Sequence, residues 1–514
     1  MHQPPDLPPL IQALCDPARY PDSALQQVEL LQTHISWVLL AGDFAYKIKK
    51  PIKLPFLDFS TLALRKRYCE DELRLNRRYA PDIYLDVVAI RATPNGPALD
   101  ADYGTPLEYA VRMRRFDEAG RLDRLCARGA LTAAHVSDLA ATLVAFHATA
   151  AVAPAGSRFG SPAQVLAPMM DNFHDLGQLL APAADDDDLR QRLQALRNWT
   201  QDQFARLTPL ITARKAAGSI RECHGDLHLA NMVLIDQRVR LFDCLEFNQD
   251  LRWIDVTCDH AFAYIDLLEH GRGGLANWFA NQVFECSGDY EATPLLRLYA
   301  VYRAMVRAKV AAIRCSQTGG AGDDNRNDVR LFIDHAQRLV EPAPLRLVIT
   351  HGLAGCGKTF ASSRLLQSDA VARTLRLRSD VERKRLFGLA PDQRSGSATS
   401  AGIYAPDAHA RTYARLQTLA AGLLHSGWSV VVDAAFLQRR EREAFHAIAA
   451  KAGAQFAILA PQAGVDVLRQ RITSRLAAGR DASEATLAVL DSQLQWIEAL
   501  GSDERALMLE PTPD

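Results

Sequence analysis

The octapeptide Gly352-Leu353-Ala354-Gly355-Cys356-Gly357-Lys358-Thr359 follows the apolar run Leu345 to Thr350 and precedes a helical pattern. Glycines at this spacing let main-chain N–H groups turn inward around a phosphate at a helix N-terminus, where the dipole favours negative charge. In such a loop Lys358 neutralises charge between the β- and γ-phosphates and the Thr359 hydroxyl ligates Mg²⁺. Gly352, Gly355, Cys356, Gly357, Lys358 and Thr359 are therefore the expected nucleotide-binding residues. The strand, loop and helix they need belong to a parallel sheet.

The rest of the C-terminal third continues that pattern. Short apolar runs at 345–350, 374–379, 429–436, 454–460 and 506–511 alternate with helical stretches starting at Lys358, spanning about 407–425 and starting at Gly464. Unbroken apolar strands between helices predict a doubly wound parallel sheet covered on both faces. With 514 residues, several domains are expected. The run Val340-Glu341-Pro342-Ala343-Pro344 stops a helix and places the boundary near 341, between a domain over 1–340 and one over 345–514. Two polar stretches, Asp185 to Asp188 and Thr318 to Asp328, read as solvated loops.

Composition narrows the function classes. Lys plus Arg number 59 against 60 Asp plus Glu, so no global positive field holds a polyanion. Hydrophobic residues at 48% and charged residues at 23% exclude a disordered or fibrous chain. Nine scattered cysteines with no CxxC pair argue for a reducing cytoplasm rather than a disulfide framework. No export signal is visible at the N-terminus, and the most apolar helical stretch, Leu139 to Val152, is too short and polar to span a bilayer.

Ligands in open α/β sheets sit at the carboxyl ends of strands. Asp380 ends the second strand, three residues before Arg383 on the same face of a starting helix; the carboxylate can take a proton from an acceptor hydroxyl while the arginine holds a phosphate. Asp433 follows four strand residues and reads either as the carboxylate that backs the Mg²⁺ site or as a buried cap. Arg471 and Arg475 are four apart on one helix face, with Arg480 beyond them, and suit a lid over transferring phosphoryl oxygens; the alternative is an exposed basic helix paired with Asp466 and Glu484. GLAGCGKT, RSDVERK, VVVDAAFLQRRERE and the RxxxR lid together resemble the P-loop small kinases grouped with zeta-toxin-like and polynucleotide-kinase-like domains. That resemblance covers nearly all of 345–514 and implies that Asp380 is a general base with Arg383 beside it.

A second constellation lies at 220–247, reading IRECHGDLHLANMVLIDQRVRLFDCLEF. Asp226, Asn231 and Asp243 fall at loop-facing points around an apolar hairpin of Met232 to Ile235 and Val239 to Phe242. A kinase-like site needs one carboxylate to orient the acceptor hydroxyl, then an Asn and an Asp for Mg²⁺, in this order. The segment resembles the catalytic loop of the aminoglycoside phosphotransferase and choline kinase-like family. The resemblance implies a two-lobed, protein-kinase-like α+β domain with Asp226 as catalytic base, Asn231 and Asp243 as metal ligands, and His224 organising the loop. His228 and Glu246 are further polar groups nearby.

Such a lobe also wants a strand lysine paired with a helix glutamate. Lys47 and Lys49 share a face of the second strand of a hairpin turning at Gly42-Asp43, with Lys47 the better match, and a helix over Thr61 to Arg78 offers Glu70 and Glu72, of which Glu72 is favoured. A glycine-rich loop over the phosphates is missing from QTHISWVLLAG. The order of the two regions resembles bacterial fusions of an aminoglycoside-phosphotransferase-like domain with a P-loop kinase domain. It implies a two-domain kinase that uses ATP or GTP and Mg²⁺ to phosphorylate hydroxyls of small molecules. The rivals are a polynucleotide 5′-hydroxyl kinase at the C-terminus, and an N-terminal sensor that gates the P-loop domain.

Overall fold

In the computed structural model, residues 7–22, 25–54, 57–180, 187–317, 323–391, 393–397, 402–478 and 482–509 are described. Contacts divide the chain into two compact units. One combines Met1–Leu131, Ala145–Val165 and Pro209–Phe262; the other combines Thr132–Val144, Leu166–Thr208 and Ala263–Asp514. These units do not follow the linear boundary near 341, because residues 166–208 and 263–340 cluster with the P-loop sheet.

The first unit is built on a six-stranded antiparallel sheet in the order Val28–Gln32, Ser36–Ala41, Phe44–Lys49, Pro106–Arg114, Tyr84–Thr93, Gly96–Leu99. Ala41 pairs with Phe44, so the hairpin turns on Gly42-Asp43 with Gly42 at φ +58°. Leu39, Ile48, Ile90 and Ala110 are fully buried on the sheet. The helix Leu62–Asn76 is capped by Thr61, whose hydroxyl accepts the Leu64 N–H at 3.2 Å. Its Cys69 packs in an apolar cluster with Ile83, Val111 and Val233. That cluster sets the helix against the sheet strand carrying Val111 and orients Glu72 inward.

The hairpin after the HGD segment pairs Met232–Ile235 with Arg238–Leu241, one residue tighter than the sequence pattern suggests. Asp236 and Gln237 both take positive φ, +48° and +59°, so two residues make the turn that three were expected to make. Strand Ile220–Glu222 pairs with Trp253–Asp255 and delivers the chain to the loop.

The second unit holds a four-stranded parallel sheet in the order Thr374–Arg378, Ser429–Asp433, Arg346–Thr350, Gln455–Leu459. Leu347, Ile349, Leu375, Leu377, Val430 and Val432 are fully buried, as expected of strands covered on both faces. The fifth run, 506–511, does not form a strand over its described residues: the short helix Ser502–Arg505 precedes it and Met508 makes a single parallel bridge to Ile458. The edge strand Thr374–Arg378 is closed by helix Gly273–Ser287, whose asparagines replace a neighbouring strand. Asn277 Oδ1 accepts the Thr374 N–H at 3.1 Å, while Asn281 donates to Thr374 O at 2.8 Å and accepts the Arg376 N–H at 2.6 Å. An unpaired edge is a liability, and two amides four residues apart on one helix face satisfy it.

The two polar stretches are shorter as loops than expected. Asp187 and Asp188 lie in the first turn of helix Asp187–Ala216, where negative side chains are stabilised by the positive end of the helix dipole, and 323–328 belong to helix Asp323–Val340. Residues 185–186 and 318–322 lie outside the described residues. Among the described residues, no helix is long and apolar enough to cross a membrane.

Candidate active sites

The strand Phe44–Lys49 turns Lys47 and Lys49 to one face, because side chains two apart share a side of the pleat. Glu72 reaches both: its Oε1 is 2.8 Å from Lys47 Nζ and its Oε2 is 2.7 Å from Lys49 Nζ. Glu70 is instead exposed and pairs with Lys66 at 2.7 Å. Lys47 also pairs with Asp243, and Lys49 with Glu246. Burial alone would lower the pKa of Lys47, but the Asp243, Glu72 and Glu246 carboxylates hold it well above the usual value. Burial likewise raises Glu72, yet the two ammonium groups outweigh it and bring its carboxyl down to about 2. Glu246 goes the other way, raised by burial and only partly relieved by Lys49.

Asn231 is anchored to the base candidate, with its Nδ2 donating to Asp226 O at 2.9 Å and Asp226 Oδ2 at 3.2 Å. The Phe242 N–H donates to Asn231 O at 3.0 Å, which brings the end of the hairpin strand, and with it Asp243, alongside Asn231. Asp243 sits at φ +61°, in the left-handed region, with its N–H donating to the Tyr84 hydroxyl at 2.9 Å. The next N–H, of Cys244, donates to Asn76 Oδ1 at 2.8 Å. These bonds hold a turn that strand continuation would erase, so Asp243 points to Lys47 instead of along the sheet. His224 is buried, bonded through Nε2 to Phe242 O at 2.9 Å, and burial lowers its pKa. It therefore serves the loop as a neutral ring.

Sequence reasoning missed Asp259. Its two oxygens accept the N–H groups of His224 at 3.1 Å and Gly225 at 3.0 Å, and Oδ2 meets His147 Nε2 at 3.0 Å. Despite full burial, those donors and nearby imidazoles keep its carboxyl below the usual range. An aspartate inside an apolar helix, VTCDHAFAY, was the available signal. The sequence pattern marks Lys49 only by the strand face it shares with Lys47 and gives no sign of the buried Lys49–Glu246 pair. The glycine-rich loop is absent in fact: the connection between Val28–Gln32 and Ser36–Ala41 is Thr33-His34-Ile35, closed by the Ser36 N–H on the Thr33 hydroxyl at 2.9 Å.

In the second unit Gly357 caps the helix Lys358–Gln367 at φ +98°, a conformation that side chains resist. A Cβ on Gly355 would meet Leu468 O at 2.9 Å. Lys358 Nζ bridges the loop by donating to Gly352 O and Leu353 O, each at 2.8 Å. The Thr359 hydroxyl, in the first turn of helix Lys358–Gln367, donates to Asp433 Oδ2 at 2.8 Å, at the end of strand Ser429–Asp433. Cys356 packs in an apolar cluster with Ala354, Leu468, Ile472 and Leu490, while its Sγ accepts from Lys358 Nζ at 3.7 Å.

A cavity of about 450 Å³ joins this loop to Asp380, Arg383, Asp433, Arg471 and Arg475. Arg383 Nη1 is 2.8 Å from Asp380 Oδ1, and its guanidinium lies over the Tyr404 ring at 5.1 Å. Burial raises Asp380, but Arg383, a hydrogen bond from Ser483, Arg378 and Arg475 together hold its carboxyl below the ordinary value. Arg471 Nη1 donates to Gly355 O at 3.3 Å and Arg475 Nη2 to Ala485 O at 2.9 Å. No salt bridge joins either to Asp466 or Glu484 among the described residues; Glu484 binds Lys384 at 3.3 Å. Arg480 lies outside the described residues. The pattern also missed Arg378, 3.8 Å from Asp433 and 3.1 Å from Glu285, and the His409–Glu441 pair at 2.8 Å on the cavity wall.

The donor sets suit Mg²⁺, a hard cation that prefers oxygen: a hydroxyl with a carboxylate at Thr359 and Asp433, and a carboxylate beside an amide at Asp243 and Asn231. Within the second unit, residues 347–500 are a P-loop domain, matched by a family model described as an AAA domain. Over most of the chain the similarity is to an uncharacterized protein of Mycobacterium tuberculosis, 29% identical over 486 residues that cover 93% of this chain and 94% of that one. Among solved structures, choline kinase from Cryptosporidium parvum aligns with 64% of this chain and 94% of its own at 11% identity and a TM-score of 0.41. A choline/ethanolamine kinase family protein from Mesorhizobium loti covers 62% and 88% at 13% identity and a TM-score of 0.36.

Proposed function

We propose that the chain is a phosphotransferase with two sites, each transferring the terminal phosphoryl group of ATP or GTP, with Mg²⁺, to a hydroxyl of a small molecule. The observation that carries this reading is the Thr359 hydroxyl on Asp433 at 2.8 Å, with Lys358 poised over the same loop and the Asp380–Arg383 pair in the same cavity. The bound cation would neutralise charge on the β- and γ-oxygens. Lys358 shares that work from the loop, Asp380 takes the proton of the acceptor hydroxyl, and Arg383 with Arg471 and Arg475 faces the transferring group. In the N-terminal module Lys47, held by Glu72, meets the nucleotide phosphates, Asp226 orients the acceptor hydroxyl, and Asn231 and Asp243 hold the metal. We take the modules as 1–340 and 345–514 and place the chain in the cytoplasm, a reading supported by nine cysteines with no disulfide.

One feature favours a second reading for the N-terminal module. The three-residue Thr33–Ile35 turn offers no glycine cover for phosphates, which suits a nucleotide sensor gating the P-loop site as well as a slow kinase. The test is transfer of labelled phosphate from γ-labelled ATP and GTP to a panel of hydroxyl metabolites, nucleosides and oligonucleotides, with and without chelator. Chelator-sensitive labelling of small molecules is expected. Labelling confined to oligonucleotide 5′ ends, or none that Asp226→Asn alters, overturns the small-molecule and two-site readings respectively.

A further inference from the structure

The P-loop-bearing unit holds a second cavity, of about 660 Å³, that shares no lining residue with the first. That volume is typical of a small-molecule site. Its wall includes Trp199, Leu298 and Pro342, and its charged lining consists of Arg206, Arg297, Arg373 and Glu341, with His425 at the edge. Arg373 is only 7% exposed, and its Nε has no hydrogen-bond partner among the described residues. Its Nη atoms donate to main-chain oxygens, Glu341 O at 2.6 Å and Arg338 O. Arg297 donates to Gly427 O at 2.9 Å and lies over the Trp428 ring at 5.7 Å.

Neither guanidinium forms a salt bridge among the described residues, whereas Arg376, Arg378 and Arg442 in the same unit pair with carboxylates. The one carboxylate in the lining, Glu341, is exposed. The nearby Asp369 is already engaged, accepting the N–H groups of Val371, Ala372 and Arg373 and the Thr374 hydroxyl. Buried arginines are normally paired, because an uncompensated charge is costly away from water. Burial, together with the charge of Arg373, pushes Arg297 below its usual pKa. Two neighbouring cations in a partly apolar cavity call for a multivalent anion, and the guanidinium fork matches phosphate oxygens. The cavity is far larger than inorganic phosphate, and Trp199, Leu298 and Pro342 provide apolar surface for an organic body.

We propose that this cavity binds a phosphate monoester, with Arg297 and Arg373 on the phosphate and the wall around Trp199 against its organic part. The site is separate from both phosphotransfer sites, so it stands or falls independently of them. The test is hydrogen exchange on the full-length chain titrated with glycerol 3-phosphate, and in parallel with inorganic phosphate. Glycerol 3-phosphate is expected to protect 338–346 and 424–428. Arg297→Gln should weaken that protection about tenfold or more, the loss of one charge-assisted contact. Arg206→Glu, at an exposed rim position that leaves the core intact, should weaken it a few fold. In both variants protection of 352–359 by ADP should stay as in the parent, which reports an intact fold. Absence of protection at millimolar glycerol 3-phosphate, or protection undiminished in both variants, overturns the site. Equal protection by inorganic phosphate overturns the monoester assignment.

Discussion

Lys47 and Lys358 are offered for the same task, neutralising nucleotide phosphates, yet the two regions hold them by opposite means. Lys358 rests on carbonyl oxygens five and six residues away, in its own loop. Lys47 rests on carboxylates 25 and 196 residues away, beside a second buried lysine that shares Glu72 and adds Glu246. A lysine held by neutral carbonyls gives up no ionic partner when it turns to an arriving phosphate. A lysine held by two carboxylates must exchange ionic partners, so the N-terminal site is preorganised as a charge network whose members support one another. The lesson is that one chemical role can be built locally, from backbone, or globally, from paired charges, and the two fail differently when perturbed.

The sharpest break between the regions comes from Asp226→Asn. It should lower N-terminal phosphoryl transfer by about 10² to 10⁴, the usual worth of a positioned acid or base. C-terminal nucleotide turnover should change by less than about tenfold, roughly 1.4 kcal/mol. Separate acceptor assays on one preparation measure both. Loss of both activities in a folded protein would mean a composite site and would end the comparison.

Next in size is Lys49→Met, which strands Glu246 and half of Glu72 in the core. Removing one partner of a buried pair costs about 3 to 5 kcal/mol, and urea unfolding followed at the first unit should show it. The effect has a pH sign. Burial already raises the folded pKa of Glu246, and Lys49 is the largest opposing influence. Without Lys49 the folded pKa rises further, so stability is retained below the unfolded value and lost as pH climbs through the folded one. The deficit should therefore shrink in acid; a deficit that grows there would show that Glu246 is not the stranded charge.

Lys358→Ala should lower C-terminal turnover by about 10² to 10³, through loss of one preorganised contact, with no change in unfolding because its partners are loop carbonyls. A loss of stability equal to that of Lys49→Met would erase the contrast between local and global support. The smallest effect concerns Asp380, whose depressed pKa keeps it ionised as pH falls through the ordinary carboxylate range. Arg383→Gln removes the largest influence holding it down, so the acidic limb of the C-terminal kcat/KM profile should move to higher pH. An unmoved limb would assign that limb to another group.

How much of this was legible depends on how far apart the partners lie. Gly352 through Thr359 could be read because the loop, its lysine and its hydroxyl are contiguous, and the apolar run before them announces the strand. Asp226, Asn231 and Asp243 could be marked as candidates because loop polarity against apolar strands stands out; spacing alone put Glu70 and Glu72 on different faces, and the fold buries Glu72 and exposes Glu70. Asp259 and the Lys49–Glu246 pairing could not be reached this way, since the partners lie far apart in the chain. Nor could the grouping of 263–340 with the P-loop sheet: Asn277 and Asn281 look like ordinary helix amides until the strand edge is beside them.

By itself the sequence determined the local matters: which segments are apolar strands, where glycine allows a phosphate loop, where proline ends a helix, and which residue types could do phosphoryl chemistry. These follow from backbone sterics and from burial patterns that repeat every two or 3.6 residues. Only the tertiary structure decided which charges meet. Whether Lys47 chooses Asp243, whether Asp433 receives the Thr359 hydroxyl, and whether Arg297 and Arg373 are left without a carboxylate depend on distances of a few ångströms between residues far apart in the chain, and charge interactions inside a protein are steep functions of that distance and of burial.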